Sequence, residues 1–246
     1  MAVATFAQVN QARATDEETK VGPPPLYAGD RLSRAEFHRR YLAHPEIKKA
    51  ELIEGVVYVA SPIRYRQHAD PHFNIIVWLG VYQAATPGVK GGDNATVFMD
   101  FENEPQPDAL LRLEPALGGQ SRVTSEDYLE GTPELIVEVA ASSASYDYDL
   151  HDKRRVYARN GVPEYMVLQV YEKKVSWFVL REGVYELLDP DAHNIIRSEV
   201  FPGLWLQVDA LWSGDVATML AVLQQGLASP AHAAFVEQLK QKQELR

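Results

Sequence analysis

Three stretches of the sequence predict an α/β fold. Residues 134–170 read as a buried strand, a short polar loop, an amphipathic helix and a second strand, an order that packs a helix against a sheet. Residues 72–86 carry Phe73, Ile76, Val77, Gly80 and Val81 at helical spacing, broadened by Trp78 and Leu79, which describes a mostly buried helix. Beyond Tyr165, short β-rich runs alternate with turn-sized gaps, which argues for antiparallel hairpins.

In chain order, residues 1–25 end in VGPPP without periodicity and are expected to form a flexible arm. Ser33 and Glu36 have capping-box spacing, and Phe37 and Tyr41 lie one turn apart, which predicts a helix over 34–43. AELIEGVVYVASP gives two strands around a turn at Glu54 and Gly55. Pro87 and Gly88 end the helix of 72–86. Val97–Phe101 reads as a strand, and Pro105–Leu113 contains another. Residues 115–130 read as loop with one helical turn at SEDYL. The later runs, 165–171, 174–181, 184–188 and 204–208, are the tail strands, followed by a helix over roughly 214–226. Past Pro230 the sequence is helical in pattern but poor in apolar surface. The expected organisation is an arm (1–25), one domain (26–228) and a helical tail (229–246).

The 246 residues are 46% hydrophobic and 24% charged, enough to bury a full core. No cysteine is present, which excludes disulfides and thiolate metal sites. The first twenty residues lack the apolar core of a secretory signal, and the longest uncharged windows are interrupted by Asn, Gln, Thr or Pro. A soluble cytoplasmic protein without membrane attachment is therefore expected. The net charge of -10 argues against broad, non-specific nucleic-acid binding. It leaves room for a local basic cleft, with Arg31, Arg34, Arg64, Arg66, Arg154 and Arg155 among the candidates.

Two charges stand out. Glu138 interrupts the apolar run Leu135–Ala140, and an ionised group there is costly unless something binds it. Tyr146, Leu150, Lys153 and Tyr157 are spaced four, three and four, so Lys153 falls inside an apolar stripe with Asp149 one turn before it. Asp108, directly after Pro107, and Glu138 are the carboxylates that resist a surface explanation, with Glu51 a weaker third. Strand-borne carboxylates converging at a sheet end form an oxygen site for a hard divalent cation. A lysine beside them can orient or help deprotonate a water and stabilise charge on a phosphate. That combination suits metal-assisted phosphodiester hydrolysis.

The order ELIEG, PD, ELIVEVAASS, DLHDK and YARNGVPEYMVL resembles the Uma-type "putative restriction endonuclease" family, within the PD-(D/E)XK nuclease superfamily. The resemblance covers roughly residues 31–190. It implies a restriction-endonuclease-like α/β fold, a mixed β-sheet core flanked by helices. It also implies a magnesium-dependent (or manganese-dependent) endonuclease acting on nucleic acid, DNA above all. Asp108 resembles the Asp of the PD motif and Glu138 the acidic residue of the second half-motif; these two are the expected metal ligands, with a backbone carbonyl near Val139. Ala140 stands where the parent pattern has lysine, and the Uma-type variant moves the lysine to the next helix, which matches Lys153. Glu51 looks like the family's amino-terminal acidic residue, and His68, Asp149 and Tyr157 its accessory groups. Gln169 stands where the family commonly has Asp.

Each residue also has a plainer reading. Asp108 alone is a turn residue, Lys153 a structural salt bridge to Asp149 or Glu138, Glu51 part of a surface hairpin, and Tyr157 core. His68 and His72 have ligand spacing only if helical, and Pro71 favours a capping or packing role. Glu134, beside Pro133, is expected to be solvated. Two rival functions follow: a catalytically inactive nuclease-fold binding or regulatory module, or a carboxylate-pair enzyme such as a glycoside hydrolase, which leaves Lys153 without a role. A homodimer is the simplest way to cut both strands of a duplex.

Overall fold

The computed structural model describes residues 22–142 and 146–244; the expected arm falls almost wholly outside them. Helix α1 (Arg34–Ala43) starts where Ser33 Oγ accepts the Glu36 N–H. Strands β1 (Ala50–Ile53) and β2 (Val56–Val59) form the expected hairpin, with Glu54 and Gly55 both at positive φ (51° and 72°), as a two-residue primed turn requires.

A π-helical turn, Tyr65–Ala69, leads into α2 (Asp70–Ala85). Its buried stripe is Ile75, Trp78, Leu79 and Tyr82, while Phe73 is 66% exposed. The stripe is rotated from the one read in the sequence because this helix is apolar nearly all round, so its pattern has no phase. Partners fix the phase instead: Trp78 Nε1 donates to the Trp205 carbonyl at 3.0 Å and Tyr82 Oη to that of Pro202 at 3.0 Å.

Strands β3 (Val89–Asp93), β4 (Val97–Phe98), β5 (Ala109–Leu113), β6 (Ser121–Val123), β7 (Leu129–Gly131) and β8 (Leu135–Ala140) follow. The sequence did not signal β3, VKGGD, because an exposed, glycine-rich edge strand carries no apolar alternation. Residues 121–123 and 129–131, expected as loop, form a small separate sheet in which β7 pairs with both β4 and β6, and SEDYL makes a turn rather than helix. Helix α3 follows, a π-helical turn Tyr148–Lys153 running into α-helical Arg154–Arg159. After it come β9 (Glu164–Gln169), β10 (Lys174–Arg181), β11 (Val184–Leu187), β12 (Ile195–Arg197) and β13 (Trp205–Gln207). Helices α4 (Val208–Ser213), α5 (Val216–Leu227) and α6 (Pro230–Glu244) complete the described chain.

The central sheet has the order β11-β10-β9-β8-β5-β3. It is mixed: β8 and β9, joined through α3, are parallel, and every other neighbour is antiparallel. Strand β8 is buried along its whole length because both faces are covered. Leu135, Val137 and Val139 join the core under α2 and the C-terminal helices, and Ile136 and Ala140 the core under α3. By alternation Glu138 points to the α3 side. Helix α6 rests on this body through buried Leu239 and a 2.9 Å hydrogen bond from Lys242 Nζ to the Leu117 carbonyl.

Glu134 is not solvated; it is 4% exposed and accepts the Leu113 N–H at 2.7 Å and the Gln120 N–H at 3.0 Å. It closes the loop after β5, where those amides have no strand partner. Glu134→Ala strands both donors and should cost about 1–3 kcal/mol, read as a lower urea midpoint at unchanged slope. An unchanged midpoint would show that water reaches these amides.

Candidate active site

The antiparallel register pairs Ala109 with Val137, so its continuation sets Asp108 opposite Glu138. Two like charges directly across a strand pair repel, and the surroundings supply counter-charges. Lys153 Nζ lies 2.9 Å from Glu138 Oε1, 2.9 Å from Glu51 Oε1 and 3.7 Å from Asp149 Oδ1. Tyr157 Oη donates to the same Glu138 oxygen at 2.9 Å. Lys49 Nζ lies 2.8 Å from Asp108 Oδ1 and 2.8 Å from Asn94 Oδ1. Asp108 Oδ2 accepts the Val139 N–H at 2.9 Å and faces His68 Nε2 at 3.2 Å.

The structure thus brings together the candidate site residues Asp108, Glu138, Lys153, Glu51, Asp149, Tyr157 and His68. Glu51 reaches the cluster because β1 turns Glu51 and Ile53 toward the α3-side core, and the Gln106 N–H holds its Oε1 at 2.8 Å. The π-helical turn places Asp149 and Lys153 inward together; such turns are frequent at functional sites. Helix runs through Pro71, so His68 and His72 do stand one turn apart, with rings 5.5 Å apart. His72 Nε2 bonds the Asp108 carbonyl at 2.7 Å rather than its carboxylate. Gln169 is buried and donates to Ser176 Oγ at 2.6 Å.

Three neighbours were not anticipated. Lys49 shares the Glu51 face by alternation, a signal the sequence does contain. Asn94 follows the unsignalled strand β3, and Tyr148 turns inward only through the wider π-helical turn. Lys49, Glu51, Tyr148, His68, Asp108, Glu138, Asp149 and Lys153 line one cavity of about 760 Å³, rimmed by residues 58–64 and Tyr171.

Charge in this cavity is unbalanced: four carboxyls face two ammonium groups, two formal negative charges in excess. The titration directions reflect it. Burial, reinforced by the charges of Asp108 and Glu51, pushes Glu138 up to about 7 despite Lys153. Asp149 is raised well above the usual carboxyl range by burial and by Glu138 and Asp108. Burial would also raise Asp108, but the His68 hydrogen bond and the Lys49 charge more than offset it and hold the carboxyl well below its usual range. Burial would lower Lys153, yet Glu138, Glu51 and Asp149 hold the ammonium well above its ordinary value.

Among the described residues no three Asp, Glu or His side chains form a ready metal-ligand set. The donor chemistry nevertheless fits a hard cation: carboxylate oxygens of Asp108 and Glu138 on facing strands, with an excess of negative charge. Magnesium is often held by one or two protein carboxylates, the remainder being water and substrate.

The chain thus has a mixed-sheet α/β fold with this acidic pair set beside a helix-borne lysine. The crystal structure of a putative nuclease belonging to DUF820 from Anabaena variabilis ATCC 29413 is similar to it, with a TM-score of 0.54 and 14% identity over 71% of this chain and 96% of that one. The Uma2 family profile, described as "Putative restriction endonuclease", matches residues 34–209. The chain belongs to the Uma2 family. No curated protein matches it significantly.

Proposed function

We propose that this protein is a divalent-metal-dependent endonuclease that hydrolyses phosphodiester bonds, with DNA as its substrate. The observation that carries the reading is that Asp108, just before β5, binds the Val139 N–H beside Glu138 on β8 at 2.9 Å, with Lys153 Nζ 2.9 Å from Glu138. Asp108 and Glu138 would hold Mg²⁺ or Mn²⁺, which supplies Lewis-acid polarisation of the phosphate and a more acidic bound water. Lys49 and His68 orient Asp108, and Tyr157 orients Glu138. Lys153 works as a fixed cation: its ammonium keeps its proton in the metal-free protein, so it orients the attacking water and balances charge growing on the phosphate. Glu51 holds Lys153 in place.

The test is incubation of the protein with plasmid and with oligonucleotides in Mn²⁺, Mg²⁺ or EDTA. Metal-dependent strand cleavage that EDTA abolishes is the expected result, and equal cleavage in EDTA would sink the metal role. Nucleic-acid binding with no cleavage in either metal would favour the inactive binding module, a reading supported by the lysines seated directly on both carboxylates.

A further inference from the structure

Five buried side-chain nitrogen or oxygen atoms have no hydrogen-bond partner among the described residues, and the Tyr148 hydroxyl is one of them. Burying a hydroxyl without a partner is unfavourable, so its position calls for a reason. Tyr148 lines the cavity that holds Asp108, Glu138 and Lys153. Its ring packs on Tyr58 with centroids 4.1 Å apart and planes at 32°, and Lys153 Nζ sits 5.0 Å from the ring centroid. The phenol is therefore held rigidly at the wall of the site while its one polar atom is left unused.

We propose that Tyr148 is a further substrate-contacting residue, whose hydroxyl donates a hydrogen bond to a non-bridging oxygen of the phosphodiester bound in this cavity. The inference rests on the nuclease reading above. A phosphate oxygen is a strong acceptor, and a small shift of the cavity wall that uncovers the hydroxyl gives this unpaired donor a partner. Burial and the charge of Glu51 raise the phenol well above its ordinary value, so it keeps its proton and acts as a donor, not a base. The neighbouring Tyr157 shows the contrast: its hydroxyl is already committed to Glu138.

Tyr148→Phe retains the stack on Tyr58 and the ring beside Lys153 and deletes only the hydroxyl. The variant is expected to lose about 10- to 100-fold in kcat/KM on an oligonucleotide in Mn²⁺. It should also bind a fluorescein-labelled oligonucleotide more weakly in Ca²⁺, read by anisotropy. Its Mn²⁺ affinity should be unchanged and its Tm equal to or above that of the wild type, because no hydrogen bond within the protein is lost. Unchanged kcat/KM and oligonucleotide affinity would overturn the proposal. So would a parallel loss of Tm and Mn²⁺ affinity, which would make the hydroxyl structural. A wild type that neither binds nor cuts any nucleic acid would instead refute the nuclease reading, and this inference with it.

Discussion

Lys153→Met is expected to cost about 3–5 kcal/mol of stability at pH 8, the typical penalty for removing one partner of a buried ionic cluster. Lys153 is 2% exposed and is the cation shared by Glu138, Glu51 and Asp149. Methionine matches its length and leaves three carboxyls facing one another without that charge. The loss should shrink at pH 5, because Glu138 and Asp149, both raised by burial, then take up protons and need no counter-ion. Turnover should fall by about 10²–10³-fold where the variant remains folded, as for loss of one fixed charge-stabilising donor. Urea titrations at the two pH values give the stability arm. A variant as stable as the wild type at pH 8 would mean that Lys153 is not the counter-charge of this cluster.

Glu138→Gln should act in the opposite sense on stability and more severely on activity. The amide oxygen can still accept from Tyr157 Oη and Lys153 Nζ, and one excess negative charge disappears, so the fold is retained. A metal-binding carboxylate is lost, and with it several kcal/mol of transition-state stabilisation, a fall of about 10³-fold or more in cleavage. Calorimetry with Mn²⁺ should show weakened binding. The metal-free protein offers an independent check. Glu138 is raised from an ordinary 4.5 to about 7, so between those values the folded state holds a proton that the unfolded state has released. Its contribution is complete below about pH 4.5 and is lost as pH rises through about 7. Glu138→Gln should therefore flatten part of the fall in metal-free Tm across that window. A variant that cleaves like the wild type would remove Glu138 from the site.

Much of this site is legible in the sequence for one reason: a charge inside an apolar pattern is locally visible. Glu138 breaks a run of strand length, and Lys153 breaks a helical stripe. The strand, helix and strand around them appear in the structure as β8, α3 and β9. The hairpin at Glu54 and Gly55 was equally clear, because a primed turn demands residues that tolerate positive φ. Strand β3 and the small sheet of residues 121–131 were not visible. Their strands are short, exposed or glycine-containing, and only pairing with distant neighbours makes them strands.

The sequence by itself determined that Glu138 and Lys153 turn inward, since side-chain direction follows from the period of a single element; it misread Glu134 and passed over Lys49. The tertiary structure decided what they meet. Cross-strand register puts Asp108 opposite Glu138, the β1 hairpin brings Lys49 and Glu51 to the same cavity, and a π-helical turn swings in Tyr148. Those contacts join residues as many as 102 positions apart in the chain, as between Glu51 and Lys153. No local period encodes them, because they form only when separate elements compete for the same buried faces.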